Sequence, residues 1–491
     1  MTATLHPLDV GMLFLYAAIL VGMGIYYFRK SKTSAQFMVA DRTIPSWAAG
    51  LAVMSAYTSS ISYIATPGKA FDDNWHPLIF ALCIPPVVLL VNSYVVPYYR
   101  RTKMISVYQF LEERLGSYGR IYAAFSFVLY MIGRVAVILY LASLLLNSFM
   151  PWNIAIIIVF IGLITIVYTM LGGMEAVIWT DVMQSAIMIV GILFCAGALT
   201  VAVFAKPDFL IRNALAADKF SLGSIDLSLS SRTIWVMIIY GVTENVRNLV
   251  ADQNYVQKYV SVGTEAEAKR SVWIAMLIYV PLTVVFLYIG TALFAFYSGD
   301  VELGAAITKG DQVFPYYIAT QLPIGLKGLI IAAILAAAMS TIDSALNCSA
   351  TVLLLDFYKR YFKPDISEKS SVRILRSTSL LWGVLGIFFA LLMIRAQSAL
   401  DVWWEISGIF GGGILGLFLL AFFRVKLPVW QGIVSLAISI ALITWGTFAR
   451  NLPPSLAWLE CTMDPILMGA LGTAGLLLTA LLFHFANRRT K

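Results

Sequence analysis

Long apolar stretches separated by short polar segments occupy most of the chain. About thirteen such stretches of roughly 18 to 30 residues are each long enough for an α-helix to cross a hydrocarbon layer of ~30 Å. They lie at 8–28, 46–70, 77–98, 120–148, 152–170, 175–204, 231–250, 272–298, 326–356, 376–396, 402–423, 428–448 and 464–486. Because 60% of the 491 residues are hydrophobic and only 12% are charged, the polar side chains are too few to cover a water-soluble particle. The sequence predicts an all-α integral membrane protein with about 13 transmembrane helices.

Basic residues predict the orientation of these helices. Lys and Arg concentrate after the first, third, ninth and last stretches, for example at Arg29, Arg100, Lys359 and Arg488. Since cytoplasmic loops retain such residues, we expect a multi-pass protein of the cell inner membrane with its amino terminus outside and its carboxy terminus in the cytoplasm. The net charge of +8 then reflects topology and lipid contact, so no nucleic-acid partner is expected.

Two apolar stretches are interrupted by polar residues at 55–60 and 337–344. Polar groups at mid-membrane are costly unless they bind something, so these segments predict a solute and ion pathway. In the first of these interrupted stretches, we expect Thr66-Pro67-Gly68 to end the helix, because proline cannot continue a regular helix. The alternative is structural, since a single Ser or Thr often bonds to its own backbone or joins two helices.

The second interrupted stretch carries a polar helical face. Ser340, Asp343, Ser344 and Asn347 follow the spacing i, i+3, i+4, i+7, and Ala337 lies one turn earlier. A row of oxygen ligands with small neighbours suits a hard monovalent cation.

Arg134 lies far from either end of the fourth stretch. A guanidinium at that depth needs an anionic partner, which is either a protein carboxylate or a bound substrate. Glu244 is the protein candidate, but Arg247 lies three residues from it and can satisfy it within the same helix. Arg134 is therefore a candidate for binding a substrate carboxylate through two parallel donors.

Three segments, one of which includes the polar face at 337–347, resemble the sodium:solute symporter family. They are residues 169–184 (TMLGGMEAVIWTDVMQ), 252–259 (DQNYVQKY) and 336–358. The resemblance covers nearly the whole chain and implies a LeuT-type fold within a single transporter domain, 1–491. It implies two inverted five-helix repeats, 46–204 and 231–423, with one helix before them and two peripheral helices in 428–491.

The resemblance also implies a sodium site between the two interrupted stretches. In the family this site uses carbonyls of the first core helix and a carbonyl and hydroxyls of the eighth. The matching groups here are the backbone oxygens of Ser55, Thr58 and Ala337 and the side chains of Ser340 and Thr341.

Within the family the chain especially resembles bacterial sialic acid symporters, which have a second sodium site. The matching residues are Asp181, Ser340, Asp343 and Ser344, and the related proteins carry Ser where this chain has Asp343. The second site is therefore more acidic here, and whether it takes Na⁺ or H⁺ stays open. The alternative for Asp181 is a charge at the start of a helix on the inner surface.

The same resemblance implies substrate-binding roles for Ser59, Ser62, Arg134 and Asn245, with Arg134 holding the substrate carboxylate. The expected function is sodium-coupled import of an organic anion, most closely sialic acid, by alternating access. Ala81 replaces a substrate-binding Gln, and Pro77 stands near an expected aromatic residue. Another carboxylate, a sugar acid or a neutral sugar therefore remains an alternative.

Other functional classes have weaker support. The three histidines lie near the ends of apolar stretches, without metal spacing or a nucleophile and base pair, so no enzymatic activity is expected. A channel or a sensor is a further alternative. The expected partners are a small organic anion, one or two Na⁺ ions and the lipid bilayer, with no obligate protein partner.

Overall fold

The computed structural model describes residues 5–30, 33–102, 104–147, 149, 152–204, 207–297, 310–395, 399–450 and 452–489. Within these ranges the chain is a bundle of helices, and the extended pairing is one isolated bridge between Ile44 and Val262. The α-helices are α1 (Pro7–Lys30), α2 (Ser34–Val39), α3 (Ser46–Tyr57), α4 (Ser60–Asp72), α5 (Pro77–Leu82), α6 (Ile84–Leu90), α7 (Val96–Thr102), α8 (Tyr108–Leu115), α9 (Ser117–Asn147), α10 (Ile154–Phe204), α11 (Pro207–Ala216), α12 (Ile234–Val246), α13 (Gln253–Val260), α14 (Glu265–Phe296), α15 (Val313–Thr320), α16 (Leu326–Val352), α17 (Glu368–Met393), α18 (Ala399–Phe422), α19 (Val429–Phe448) and α20 (Met468–Arg489).

The helices agree with the apolar stretches. Among the described residues, nine helical segments are long and apolar enough to cross a membrane, and two shorter apolar segments lie at Ile154–Val167 and Ile406–Phe422. The prediction of an all-α multi-pass membrane protein is confirmed, whereas the repeat boundaries stay a prediction.

The first interrupted stretch is a broken helix. α3 ends at Tyr57, Thr58 and Ser59 are extended, and α4 begins at Ser60 with its first turn capped by the Ser59 hydroxyl, which accepts a hydrogen bond from the Ile61 amide at 3.2 Å. The expectation that the helix ends at Pro67 is wrong, because α4 continues through this proline to Asp72. Within a helix, proline removes one backbone hydrogen bond, and surrounding helices can compensate for that loss in a membrane.

Two other breaks shape the bundle. A π-helical segment, Arg247–Ala251, follows α12, and extended Asp252 then begins α13 by accepting a hydrogen bond from the Asn254 amide at 2.9 Å. α10 is divided at Gly173, where φ is +66° and an added Cβ would lie 2.9 Å from the Phe37 Cα. Only glycine fits this conformation and close approach, so the break agrees with the two apolar stretches 152–170 and 175–204.

α16 lies at the centre of the bundle. Every residue from 330 to 352 is buried, and the helix continues as a π-helical segment to Phe362. Small residues dominate this helix and let its neighbours approach closely. The polar face predicted from the sequence is therefore enclosed by protein, where lipid cannot reach it.

An ion-pair cluster joins α8, α9 and the π-helical continuation of α16 at one end of the bundle, here called the basic end. Arg120 contacts Asp356 and Glu112 at 2.6 Å each, and Glu112 also pairs with Arg360. The Ser106 hydroxyl donates to Asp356 at 2.6 Å. This cluster holds three elements together at the basic end.

Asp9 of α1 fixes the first helix to the start of α16. Its Oδ1 accepts hydrogen bonds from the Gly325 and Gly328 amides at 2.8 Å each, and the side chain is fully buried. Asp9→Ala leaves these amides unsatisfied, which costs about 1–3 kcal/mol, so we expect a lower thermal midpoint for the protein in detergent. Phe14→Ala removes a 70% exposed side chain from the same helix and should leave the midpoint unchanged. Equal midpoints for both variants would contradict the anchoring role.

Candidate functional site

A cavity of about 220 Å³ lies beside the break between α3 and α4. Its residues come from the broken helix, from α5, from α9, from α12 with its π-helical continuation, from α13, α14 and α18, and from the segments before α5, α12 and α20. The polar and charged side chains that line it are Tyr57, Ser59, Ser62, Thr66, Lys69, His76, Tyr130, Arg134, Arg232, Tyr240, Glu244, Asn248, Tyr255, Tyr279 and Thr283.

The cavity extends toward the end of the bundle opposite the basic end. Lys69 near the end of α4, His76 before α5 and Arg232 before α12 line that part. Lys69 pairs with Asp73 at 3.2 Å, and Arg232 pairs with Asp464 at 3.5 Å. Burial, together with nearby Arg232, lowers the pKa of His76 to about 4, so this ring is neutral at physiological pH.

Arg134 reaches this cavity from the middle of α9. Its Nη2 donates to the Ala56 carbonyl at 2.8 Å, and the guanidinium carbon lies 5.9 Å from the centre of the Trp403 ring. The side chain is buried, and it forms no ion pair with any carboxylate whose side chain the structure describes. The planar guanidinium therefore has donors available for a ligand carboxylate.

Glu244 and Arg247 form the pair predicted within α12 and its continuation. Arg247 Nε donates to Glu244 at 2.9 Å, and Arg247 Nη1 lies 3.4 Å from Asp252. Arg247 Nη2 also donates to the Tyr130 hydroxyl at 2.9 Å. The prediction that Arg247 satisfies Glu244 is confirmed, so Glu244 does not serve as the partner of Arg134.

Of the residues predicted to contact the substrate, some line the cavity and one does not. Ser59 and Ser62 line the cavity, and they also cap α4, since the Ser59 amide donates to Ser62 Oγ at 3.3 Å. Asn245 is fully buried outside the cavity lining, where its amide donates to the Phe80 and Gly241 carbonyls. Its contact with substrate stays a prediction. Asn248, one turn further on, lines the cavity and was missed by the sequence reasoning.

The first predicted sodium site lies where α3 packs against α16. Ser340 Oγ and Thr341 Oγ1 both donate to the Ala337 carbonyl at 3.1 Å, which gathers three oxygens on one turn of α16. Ser55 and Thr58 are the predicted ligands on α3 and its break, and all five residues are fully buried. These oxygens can hold a dehydrated monovalent cation, although the two hydroxyl bonds also fit the structural alternative.

The second predicted site contains a cation from the protein itself. Lys258 of α13 lies 2.9 Å from Asp181, both side chains are fully buried, and the ammonium also donates to the Ala52 carbonyl at 3.0 Å. The alternative that Asp181 is a surface charge at a helix start is wrong, because it lies two turns past Gly173 inside α10. Lys258 was missed, although it lies in the segment 253–260, which is polar yet fully buried.

Asp343 lies beside this ion pair. It accepts hydrogen bonds from Thr180 Oγ1 at 3.4 Å and from Ser344 Oγ at 3.3 Å. Ser344 also donates to the Ser340 carbonyl at 2.8 Å. Because Thr180 precedes Asp181, the two acidic residues and Lys258 share one buried region between α10, α13 and α16.

Comparisons with known proteins identify the family of this chain. Residues 37–432 match the model of the sodium:solute symporter family. The sodium/sialic acid symporter SiaT of Proteus mirabilis is 31% identical over 91% of this chain and 90% of its own length. The sodium/sialic acid symporter NanT of Aliivibrio fischeri is 32% identical over 90% of this chain and 88% of its own length.

Solved structures show the same fold. A Na⁺-coupled sialic acid symporter, solved in a substrate-bound outward-open state, aligns with a TM-score of 0.90 and 28% identity over 98% of both chains. The nucleobase-cation symporter Mhp1 aligns with a TM-score of 0.58 at 16% identity over 94% of this chain and 96% of its own, which supports the fold alone. Both the sequence and the structure therefore place the chain in one group of transporters, and it belongs to the sodium:solute symporter family.

Proposed function

We propose that this chain couples Na⁺ entry to the import of an organic anion, most closely sialic acid. The observation that carries the proposal is Arg134, a buried guanidinium that lines the cavity and is not paired with a described carboxylate. An anionic ligand gives such a group the partner that the protein does not supply. The two sialic acid symporters with about 31–32% identity support the choice of substrate.

Charge balance supports coupling between the anion and the cation. Two guanidinium groups, Arg134 and Arg247, and two carboxylates, Glu244 and Asp252, lie in or beside the cavity, and the remaining cations of its lining, Lys69 and Arg232, are paired with Asp73 and Asp464. This set sums to zero, so a bound carboxylate adds a negative charge that a neighbouring Na⁺ offsets. Each ligand then raises the affinity for the other, as reciprocal linkage requires.

The first sodium site uses the oxygens of Ser55, Thr58, Ala337, Ser340 and Thr341. A Na⁺ between α3 and α16 holds the broken helix against the central helix, which keeps Ser59 and Ser62 beside the cavity. Neutral oxygens bind Na⁺ weakly enough for its release on the other side. The second candidate site uses Asp181, Ser340, Asp343 and Ser344, with Na⁺ or H⁺ as the ion.

We place the basic end in the cytoplasm and the cavity mouth outside. The basic end carries Arg100, Arg120 and Arg360. Basic residues are concentrated on the cytoplasmic side of membrane proteins. The amino terminus is then outside and the carboxy terminus inside. The ion-pair cluster at the basic end closes the inner side while the outer side accepts substrate.

Another acidic sugar is the second candidate substrate. Ala81 and Pro77 are the positions where the sequence departs from the sialic acid symporters, and Pro77 lines the cavity. A related acid with a different arrangement of hydroxyl groups fits these changes. The carboxylate contact with Arg134 is common to both candidates.

Uptake into proteoliposomes tests the function. With an inward Na⁺ gradient, we expect saturable accumulation of labelled N-acetylneuraminic acid above its equilibrium level. An equal K⁺ gradient is the control and should give no accumulation. Uptake that never exceeds equilibrium would indicate a channel, and uptake of other sugar acids alone would replace sialic acid as the substrate.

A further inference from the structure

The cavity contains a carboxylate that neither the sodium sites nor the Arg134 contact uses. Building on the proposed function, we infer that Glu244 determines specificity by accepting hydrogen bonds from hydroxyl or N–H groups of the substrate. The site then selects anions that combine one carboxylate with several hydrogen-bond donors. It discriminates against alkyl monocarboxylates and against dicarboxylates.

Glu244 is fixed in place and still has acceptor capacity. Arg247 donates to both of its oxygens, through Nε at 2.9 Å and through Nη2. Two carboxylate oxygens offer about four acceptor positions, so two remain after these bonds. The side chain is 16% exposed and lines the cavity, so the remaining positions are accessible to a ligand.

The need to neutralise Arg247 does not by itself explain why a carboxylate is present at position 244. Arg247 also lies 3.4 Å from Asp252, which is fully buried and does not line the cavity. It donates in addition to the Tyr130 hydroxyl and to the Asn248 side-chain oxygen, at 2.9 and 3.0 Å. Arg247 therefore has a second carboxylate and two neutral acceptors, while Glu244 adds a negative charge on the cavity side.

The hydroxyl oxygens of Ser59 and Ser62 take part in hydrogen bonds within the protein. Ser59 Oγ accepts a hydrogen bond from the Ile61 amide, and Ser62 Oγ donates to the Tyr57 carbonyl at 3.4 Å. Among the described residues that line the cavity, Glu244 is the one carboxylate and therefore the one charged acceptor. A charged acceptor forms hydrogen bonds about twice as strong as those of neutral groups.

The opposite charges of Arg134 and Glu244 determine which chemical groups a ligand can place beside each residue. Arg134 and Glu244 line the same cavity of about 220 Å³, and the other cations of the lining, Lys69 and Arg232, are paired with Asp73 and Asp464. A ligand carboxylate therefore binds at Arg134 and is repelled near Glu244. An alkyl chain at Glu244 displaces water without replacing its hydrogen bonds, which costs about 1–3 kcal/mol. A second carboxylate adds repulsion to that cost. Polyhydroxylated or N-acylated monocarboxylates avoid both penalties.

The test compares ligand selectivity in the wild type, Glu244→Gln and Glu244→Asp. Binding of N-acetylneuraminic acid, glucuronate, butyrate and succinate is measured on the purified protein in Na⁺, and the same acids are used as inhibitors of uptake. We expect the wild type to bind the hydroxylated acids more tightly than butyrate. In Glu244→Gln, the ratio of the butyrate Kd to the N-acetylneuraminic acid Kd should fall at least about tenfold, and the change in uptake should appear in KM. Glu244→Asp keeps the charge, so its preference for the hydroxylated acids should lie between those of the wild type and of Glu244→Gln. Val242→Ala, on the exposed side of α12, should match the wild type.

Each outcome has a defined meaning. An unchanged preference in Glu244→Gln would overturn the inference, and so would wild-type protein that binds butyrate as well as the hydroxylated acids. If Glu244→Gln does not fold, the shift in Glu244→Asp decides in the same way. Because binding is measured apart from transport, altered selectivity without sodium-driven uptake would support Glu244 while rejecting the proposed symport.

Discussion

Replacing Arg134 with alanine is expected to abolish sodium-driven uptake of the organic anion. Loss of one partner from a hydrogen-bonded charge pair costs about 2–5 kcal/mol, which corresponds to a fall in affinity of about 30-fold to 4,000-fold. Arg134→Lys should also bind the anion at least about tenfold more weakly, because a compact ammonium lacks the planar pair of donors. Both effects are measured as the KM of uptake and as the Kd of the purified protein.

The fold should tolerate this substitution. The Ala56 carbonyl that accepts from Arg134 at 2.8 Å also accepts from the Tyr255 hydroxyl at 3.1 Å, so it keeps a donor in the variant. No described carboxylate loses an ion-pair partner. We therefore expect Arg134→Ala to retain its thermal midpoint and its stabilisation by Na⁺. Retained anion affinity would instead make Arg134 a structural residue.

The sequence predicts the helices better than it predicts where they end. Apolar stretches identify helices because the hydrocarbon layer sets their length, and the hydroxyl-rich segment at 55–60 correctly marks the break before Ser60. Pro67 misled the prediction, since tertiary packing in a membrane maintains a helix through a proline. The Asp252 break needed the structure, because no proline or glycine marks it.

Periodicity brings together residues on one helix but does not identify partners on another. The spacing of Ser340, Asp343 and Ser344 correctly predicts one polar face, and Arg247 was found for Glu244 because three residues separate them. The contact between Asp181 and Lys258 joins α10 to α13, and nothing local to either residue predicts it. Only the folded arrangement of three helices shows that the acidic site contains an ammonium.

The ion pair between Asp181 and Lys258 changes the energetics expected of the second cation site. Both side chains are fully buried and lie 2.9 Å apart, so each charge depends on the other for compensation. A buried pair is weak evidence for stability by itself, but removing one partner leaves an uncompensated charge and costs about 3–5 kcal/mol. Lys258 thus supplies at Asp181 the positive charge that a bound cation would otherwise provide.

Lys258→Met, which preserves most of the side-chain volume, is expected to lower the thermal midpoint strongly in Na⁺-free buffer. Adding Na⁺ should raise this midpoint more than that of the wild type, because a ligand that binds only the folded state stabilises it by mass action. The double variant Lys258→Met with Asp181→Asn removes both charges and should regain the midpoint without the additional response to Na⁺. Midpoints are followed by thermal denaturation in detergent, with K⁺ as the control ion. If the single variant is as stable as the wild type without Na⁺, then Lys258 does not compensate the charge of Asp181, and the carboxylate must be balanced by another group.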